Sequence, residues 1–403
     1  MNGVRKNSKK LWEKDYKLNK QIEDFTVGSD YMLDRKLVKY DCLASIAHVK
    51  MLGKMGILKQ KEVTELIKEL TNIINLDAQG KFIISKEEED CHTAIENHLT
   101  EKLGALGKKI HTARSRNDQV LAALRLYYKD ELKELKRSIV KLNSTLKNFA
   151  KKYEKVELPG YTHARKAMPS SISMWTNAFV DSMKDNLKGI NFALNLIDQS
   201  PLGTGAGYGI PIEIDKKYVA NLLNFKRVQK NPIYVQHSRG KFESTILHVM
   251  TQIMFDLNKI STDLILFSMP EFGYFELPEE FCTGSSIMPH KRNPDVLELI
   301  RANYHIVVSY EIQTKTIISN LPSGYNRDVQ LTKQSIMDAF KITKQCLSIM
   351  SLVFTRLVVN KDNCKKALTD EIYATEEVYN LVKKGMPFRD AYRVVSEKFI
   401  KNK

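Results

Sequence analysis

The sequence has 403 residues, of which 43% are hydrophobic and 27% charged, and its formal net charge is +16. With 18 Gly and 11 Pro, these globular proportions exclude a collagen-like or wholly disordered chain. The five cysteines stand singly, at positions 42, 91, 282, 346 and 364, which indicates reduced thiols. The charged N-terminus lacks the apolar segment of a signal peptide, so we expect a cytoplasmic protein.

The excess of basic residues is spread along the chain, and residues 5–10 form its densest cluster. Such a charge suits nucleic acid, a membrane surface, small anions or simple solubility. The sequence has no zinc-finger spacing and no alternation of aromatic and basic residues, and its most apolar stretch is too short to span a membrane. We therefore expect no nucleic-acid or membrane partner.

Apolar residues recur at steps of three and four along most of the chain, which predicts helices. The clearest seam runs from Leu121 to Phe149, and a helix over 115–152 would be roughly 55 Å long. Further helices are predicted at 36–55, 61–76, 87–103, 171–196, 241–267, 296–316, 328–358, 375–384 and 388–399. Strand candidates are few, at 82–84 and 155–158.

The pattern therefore predicts an all-α, elongated subunit built around a bundle of long helices. We expect an N-terminal helical domain over 1–110, the central bundle over 111–356 and a short C-terminal helical domain over 357–403. Polar, turn-rich segments between the helices are the candidate binding regions, because functional groups concentrate on loops held by rigid elements.

The loop at 283–294 is the strongest chemical candidate. It carries Gly284, two serine hydroxyls, a Lys, an Arg and an Asn, so a nucleophile or base could lie beside cations that hold an anion. The segment 111–119 places two arginines before a long helix, where a carboxylate could bind, although Asp118 could simply cap that helix.

Two other segments look functional but lack the necessary spacing. The glycine-rich run at 203–207 has neither the GxGxxG pattern nor the lysine of a phosphate-binding loop. Glu88, Glu89, Asp90 and His92 are crowded on one short stretch without convergent metal-ligand spacing. The residues therefore favour neither a nucleotide-binding loop nor a metal site.

Two segments, RSRNDQV at 114–120 and GSSIMP at 284–289, resemble signatures of the fumarase/aspartase superfamily of lyases, and the first resembles the argininosuccinate lyase family within it. Supporting similarity covers about residues 11–399. The resemblance implies an all-α fold and a homotetramer whose active sites are each built from three chains, without metal or cofactor. It implies a carbon–nitrogen lyase that reversibly cleaves argininosuccinate to arginine and fumarate, the last step of arginine biosynthesis.

The resemblance also implies roles for individual residues. Ser285 matches the catalytic serine, His163 matches a histidine that assists proton transfer, and Glu298 matches the partner of that histidine. Lys291 matches a lysine that holds the reacting carboxylate. Which of Ser285 and His163 is the acid and which is the base stays open. The implied substrate-binding residues are Arg116, Asn117, Thr162, Asn293, Tyr325, Gln330, Lys333, His92 and Ser29, the last with Asp30 as its neighbouring alternative.

One departure from the usual sequence of this family leaves a second candidate for the substrate. His290-Lys291-Arg292 after the Met-Pro pair is closer to adenylosuccinate lyase, a sister enzyme. A non-catalytic protein on the same scaffold is a further alternative, and the complete set of catalytic residues speaks against it.

Overall fold

The computed structural model describes residues 18–401, in which long helices dominate. The chain divides into two compact units, each made of three separate segments. Unit 1 comprises the described residues up to Glu134, together with Ile190–Val249 and Ser309–Phe340; unit 2 comprises Leu135–Gly189, Met250–Val308 and the described residues from Lys341 onward. The consecutive boundaries at 110 and 356 remain a prediction.

Every long helix expected from the periodicity is present, with ends that differ by a few residues. The helices are α1 Lys20–Val27, α2 Asp30–Leu33, α3 Val38–Lys54, α4 Gln60–Ala78, α5 Cys91–Leu103, α6 Ala105–Lys108, α7 Arg116–Lys152, α8 Ile172–Ile197, α9 Lys216–Leu222, α10 Pro232–His237, α11 Lys241–Phe267, α12 Asp295–Ile317, α13 Thr332–Arg356, α14 Lys361–Lys366, α15 Ala374–Lys383 and α16 Phe388–Lys401. No helix in the described part of the chain is long and apolar enough to cross a membrane.

The strands are short and form three two-stranded sheets. They are β1 Glu157–Thr162, β2 Arg165–Ser171, β3 Gln199–Ser200, β4 Arg227–Val228, β5 Phe275–Glu276 and β6 Val358–Val359. β1–β2 and β5–β6 are antiparallel, and β3–β4 is parallel. The strand predicted at 155–158 overlaps β1, whereas the one predicted at 82–84 is irregular backbone.

The core of unit 1 uses the seam of α7 that the sequence predicts. Leu121, Leu124, Tyr128 and Leu132 are at most 2% exposed. Burying such side chains contributes about 1.5–3 kcal/mol each, so this face fixes the helix in place.

Asp118 stabilises the start of α7 through hydrogen bonds. Its Oδ1 accepts the Ser115 N–H at 2.9 Å, which caps the helix. Its Oδ2 accepts the N–H groups of Gly203, Thr204 and Gly205 at 2.9–3.1 Å. The glycine-rich loop therefore uses its backbone donors to bind this buried carboxylate.

Unit 2 has an aromatic core. Phe149 packs against Phe354 with ring centroids 5.1 Å apart, and Trp175 packs against Phe275 at the same separation. Aromatic pairs at such distances add about 0.5–1.5 kcal/mol each beyond the area that they bury.

Candidate active site

A cleft of about 410 Å³ lies in unit 1, and its walls come from segments that are far apart in the sequence. It is lined by Asp30, Asp90, His92, Arg116, Asn117, Val120, Arg239, Tyr325, Arg327, Gln330 and Lys333. Six of these residues are among the predicted substrate-binding residues. Ser29 does not line the cleft, but the neighbouring Asp30 does.

A buried ion cluster forms one wall of the cleft. The Lys333 Nζ donates to Asp30 Oδ2 at 2.8 Å and to Asp34 Oδ1 at 2.7 Å, and the Lys333 side chain is 3% exposed. Burial alone would lower the pKa of Lys333, but the two carboxylates outweigh it and raise that pKa. Burial also raises the pKa of Asp30, which Lys333 only partly offsets.

His92 is held beside this cluster by a second buried carboxylate. Its Nδ1 donates to Asp41 Oδ2 at 2.9 Å, and Asp41 also accepts from the Gln119 amide at 2.9 and 3.0 Å. Burial alone would lower the pKa of His92, but the Asp41 charge and hydrogen bond raise it. A protonated ring carries a second donor at Nε2, which is buried without a hydrogen-bond partner among the described residues.

The His92 pKa can be measured by NMR titration of the nine histidines, with His92→Gln used for assignment. We expect a pKa above 6.5, and we expect it to fall in Asp41→Asn, because burial then acts without the opposing charge. Since the folded pKa is the higher one, the stabilisation by this pair is complete below pH 6.5 and declines as the pH rises through the folded pKa. A wild-type His92 that titrates below 6.5 would contradict this.

Arg116 and Asn117 enter the cleft from the first turn of α7. Arg116 forms ion pairs with Glu89, at 3.5 Å, and with Asp90. Although burial opposes it, the Arg116 charge lowers the pKa of Asp90 to about 2, so this carboxylate stays ionised at neutral pH. Glu89 is a non-glycine residue at φ 65°, a conformation that is uncommon outside functional regions.

The opposite wall comes from the segment before α13. The Gln330 amide donates to the Thr26 carbonyl at 3.2 Å and accepts from Arg327 Nε at 3.1 Å. Arg327 also donates to the Thr26 carbonyl, at 3.0 Å. These bonds hold residues 327–330 against the end of α1, while Tyr325 lies partly exposed at the rim.

The remaining predicted site residues lie in unit 2. Thr162 is the last residue of β1, and His163 and Ala164 form the tip of the β1–β2 hairpin with φ values of 52° and 57°. A two-residue turn with both φ values positive favours Asn-Gly, so His-Ala carries a conformational cost of roughly 1–2 kcal/mol per residue. The strained turn presents an exposed imidazole at the end of a hairpin.

Ser285 lies on a loop that is closed at its base. The backbones of Thr283 and Asn293 exchange two hydrogen bonds, at 2.8 and 3.1 Å, and the Asn293 amide donates to the Gly284 carbonyl at 3.2 Å. The Ser285 Oγ accepts the Met288 N–H at 3.1 Å. Lys291 is exposed on the same loop, so the predicted serine and lysine share one closed turn.

Glu298 is exposed in the first turn of α12. The described chain contains no hydrogen bond between Glu298 and His163. The described chain does not form the predicted carboxylate–histidine pair by itself, so that pair stays a prediction.

One buried group has the composition of a metal site. Ligand atoms of Asp34, Cys91 and His92 lie within 4.8 Å of one another. However, Asp34 accepts from Lys333 and from the Cys91 N–H, and His92 Nδ1 donates to Asp41. Burial raises the pKa of the Cys91 thiol, which disfavours the thiolate that metals prefer. These residues fit a hydrogen-bonded cluster better than a metal site.

Sequence reasoning missed Arg239 and the buried acids Asp34 and Asp41, and it considered Asp90 only as a metal ligand. Each stands next to an apolar helical pattern or within a short polar run, where it has no distinguishing spacing. The only available signal was an acid or arginine at a position that the helical period assigns to the buried face.

The fold and the sequence both have relatives. A solved structure of an EDDS lyase variant with bound fumarate has a TM-score of 0.82 to this chain at 23% identity, and the match covers 94% of this chain and 76% of the other. At that identity the likeness shows the fold alone. A sequence profile of the family described as Lyase matches residues 12–308. The fold and the profile define a lyase of the fumarase/aspartase superfamily.

Relatives of higher sequence identity define the family within this superfamily. The argininosuccinate lyase of Thermotoga neapolitana is 52% identical over 396 residues, which covers 98% of this chain and all of the relative. That of Phocaeicola vulgatus is 40% identical over 388 residues, which covers 96% of this chain and 87% of the relative. The chain belongs to the argininosuccinate lyase family, and it is a carbon–nitrogen lyase. The predicted all-α fold and the predicted family are both confirmed.

Proposed function

We propose that this chain cleaves L-argininosuccinate reversibly to L-arginine and fumarate with the residues described above. The observation that carries the assignment of residues is the cleft of unit 1. Six side chains from three distant parts of the sequence, each expected to bind substrate, line one space of about 410 Å³. Its mixed charges suit a ligand with carboxylates, a guanidinium and an ammonium group.

The chemistry requires removal of a proton from a carbon next to a carboxylate while the neighbouring C–N bond breaks. The electron pair spreads into that carboxylate, so stabilising its second negative charge is the largest task. In this proposal Lys291 and Asn293 hold the reacting carboxylate, and Ser285 exchanges the proton. A serine is a weak base at its ordinary pKa, and the cations of the 283–294 loop would supply the help that it needs.

His163 would be the second group in proton transfer, acting together with Ser285. One of the two residues acts at the carbon and the other at the leaving nitrogen. Its activation requires Glu298, which would orient the ring and raise its basicity. Both side chains are exposed in the single chain, so the proposal places their pairing at a contact between subunits. We accordingly propose a homotetramer with shared active sites, acting in the cytoplasm without a metal or organic cofactor.

The test measures the release of fumarate through the ultraviolet absorbance of fumarate. Argininosuccinate and adenylosuccinate are supplied in parallel assays. Activity with argininosuccinate alone is the expected result. Activity with adenylosuccinate alone would preserve the elimination chemistry but overturn the substrate. A folded protein inactive with both would overturn the proposed function and favour a non-catalytic scaffold.

A further inference from the structure

The glycine-rich loop at 203–209 lacks the spacing of a phosphate-binding loop, yet three of its backbone N–H groups converge on one point. Gly203 and Gly205 have φ values of 88° and 61°, which turn successive N–H groups to the same side. A concavity of this kind binds an anion. Here the anion belongs to the protein, because all three N–H groups donate to the Asp118 carboxylate, which is 0% exposed.

Asp118 joins the loop to the wall of the cleft that α7 provides. Arg116 and Asn117, the first two residues of α7, line that wall, and Asp118 follows them directly. The second oxygen of Asp118 accepts the Ser115 N–H at 2.9 Å, on the other side of the pair. One carboxylate therefore fixes the backbone on both sides of Arg116 and Asn117 and ties it to the loop.

The other end of the loop reaches the wall that contains Tyr325. The loop is closed by a hydrogen bond from the Gly209 N–H to the Thr204 carbonyl at 3.0 Å. This closure brings the Tyr208 ring against Gly324, where the Tyr208 Oη lies 3.2 Å from the position that a Cβ atom would take. Gly324 directly precedes Tyr325, so the loop spans from one wall of the cleft to the other.

We propose that Asp118 and Tyr208 are positioning residues that act through the glycine-rich loop. They hold the wall of Arg116 and Asn117 and the wall of Tyr325 at the separation that substrate binding requires. Neither Asp118 nor Tyr208 lines the cleft, so each acts through the residues that do. This inference rests on the proposed function, and it gives the glycine-rich loop a role in the reaction.

Asp118→Asn tests the connection to α7. The asparagine has nearly the same size, but its amide nitrogen cannot accept a hydrogen bond, so one of the two sets of N–H groups loses its acceptor. We expect KM for argininosuccinate to rise roughly 10-fold or more, because small displacements of binding groups are costly. We expect kcat to stay within about 3-fold, since Ser285 and His163 lie in unit 2.

The split between KM and kcat separates positioning from a merely structural role. A variant that only folds poorly has fewer active molecules, so its apparent kcat falls while KM stays unchanged. That result for Asp118→Asn would overturn the proposal. Asp130→Asn is the matched control, because Asp130 is on the same helix with its side chain 45% exposed, and both constants should stay at the wild-type values.

Tyr208 provides the second test, and it does not depend on a buried residue. Tyr208 is 73% exposed, so Tyr208→Ala should fold even if Asp118→Asn does not. Tyr208→Ala removes the ring that covers Gly324 and should raise KM several-fold, about 3–10-fold, at nearly constant kcat. Tyr208→Phe retains the ring and should restore the wild-type KM. An unchanged KM in Tyr208→Ala would overturn the connection to the wall of Tyr325.

Hydrogen exchange followed by mass spectrometry measures the connection without any substrate. In Asp118→Asn, peptides that cover 203–209 and 319–326 should both exchange faster than in the wild-type protein, because local opening frees the N–H groups. In Asp130→Asn neither peptide should change. Faster exchange in 203–209 alone would show that the loop does not support the second wall, and it would overturn the proposal.

The proposed function and this inference fail separately. A wild-type protein that releases no fumarate from argininosuccinate would remove the reaction, whatever the exchange pattern shows. Normal cleavage by the wild type, with wild-type KM in Asp118→Asn and Tyr208→Ala, would leave the reaction intact and remove the positioning role.

Discussion

Ser285→Ala is expected to lower kcat for fumarate release by about 10²–10⁴-fold, the range that a positioned acid or base contributes. The reason is chemical, because alanine cannot exchange the proton on the carbon next to the carboxylate. The Ser285 hydroxyl also accepts the Met288 N–H at 3.1 Å, so part of the loss could come from the loop. Circular dichroism and the affinity for arginine should stay close to wild type.

Ser286→Ala is the matched control, because Ser286 is the next residue on the same loop and is exposed. It should retain most of the activity. Full activity in Ser285→Ala would end the proposed mechanism, and an equal loss in both variants would assign the effect to the shape of the loop.

Lys333→Met is expected to destabilise the protein by about 3–5 kcal/mol, the typical cost of removing one partner from a buried ion pair. The change leaves Asp30 and Asp34 facing each other in a site where Lys333 is only 3% exposed. Methionine has a similar length, so packing is largely conserved. The measurement is the melting midpoint, compared at equal protein concentration because assembly also affects it.

Lys54→Met provides the comparison, because Lys54 pairs with Asp215 at the same 2.7 Å but its side chain is 52% exposed. Exposed pairs contribute about 0–1 kcal/mol, so this variant should melt close to wild type. If the two variants melt alike, the cluster around Lys333 is not the stabilising element that its burial indicates. Protonation offers a second check: burial raises the pKa of Asp30, so acid that neutralises Asp30 should narrow the difference between wild type and Lys333→Met.

The sequence by itself determined the long helices and the family. Helical periodicity is a local property, and the seam from Leu121 to Phe149 predicts α7 because each apolar residue needs only its neighbours three and four positions away. The motifs around Arg116 and Ser285 are likewise short and continuous, so they identify the lyase family without any three-dimensional information.

Only the tertiary structure decided which side chains meet. Lys333 contacts Asp30 and Asp34 across about 300 positions of the chain, and no local pattern encodes a contact at that separation. The turn conformation at His163 could not be predicted from the local sequence either. The two positive φ values at His-Ala arise from the strand pairing on either side and not from the preferences of the two residues. Periodicity depends on neighbouring residues, whereas burial and charge pairing depend on the whole fold, and for that reason the family was evident from the sequence but the charged cleft was not.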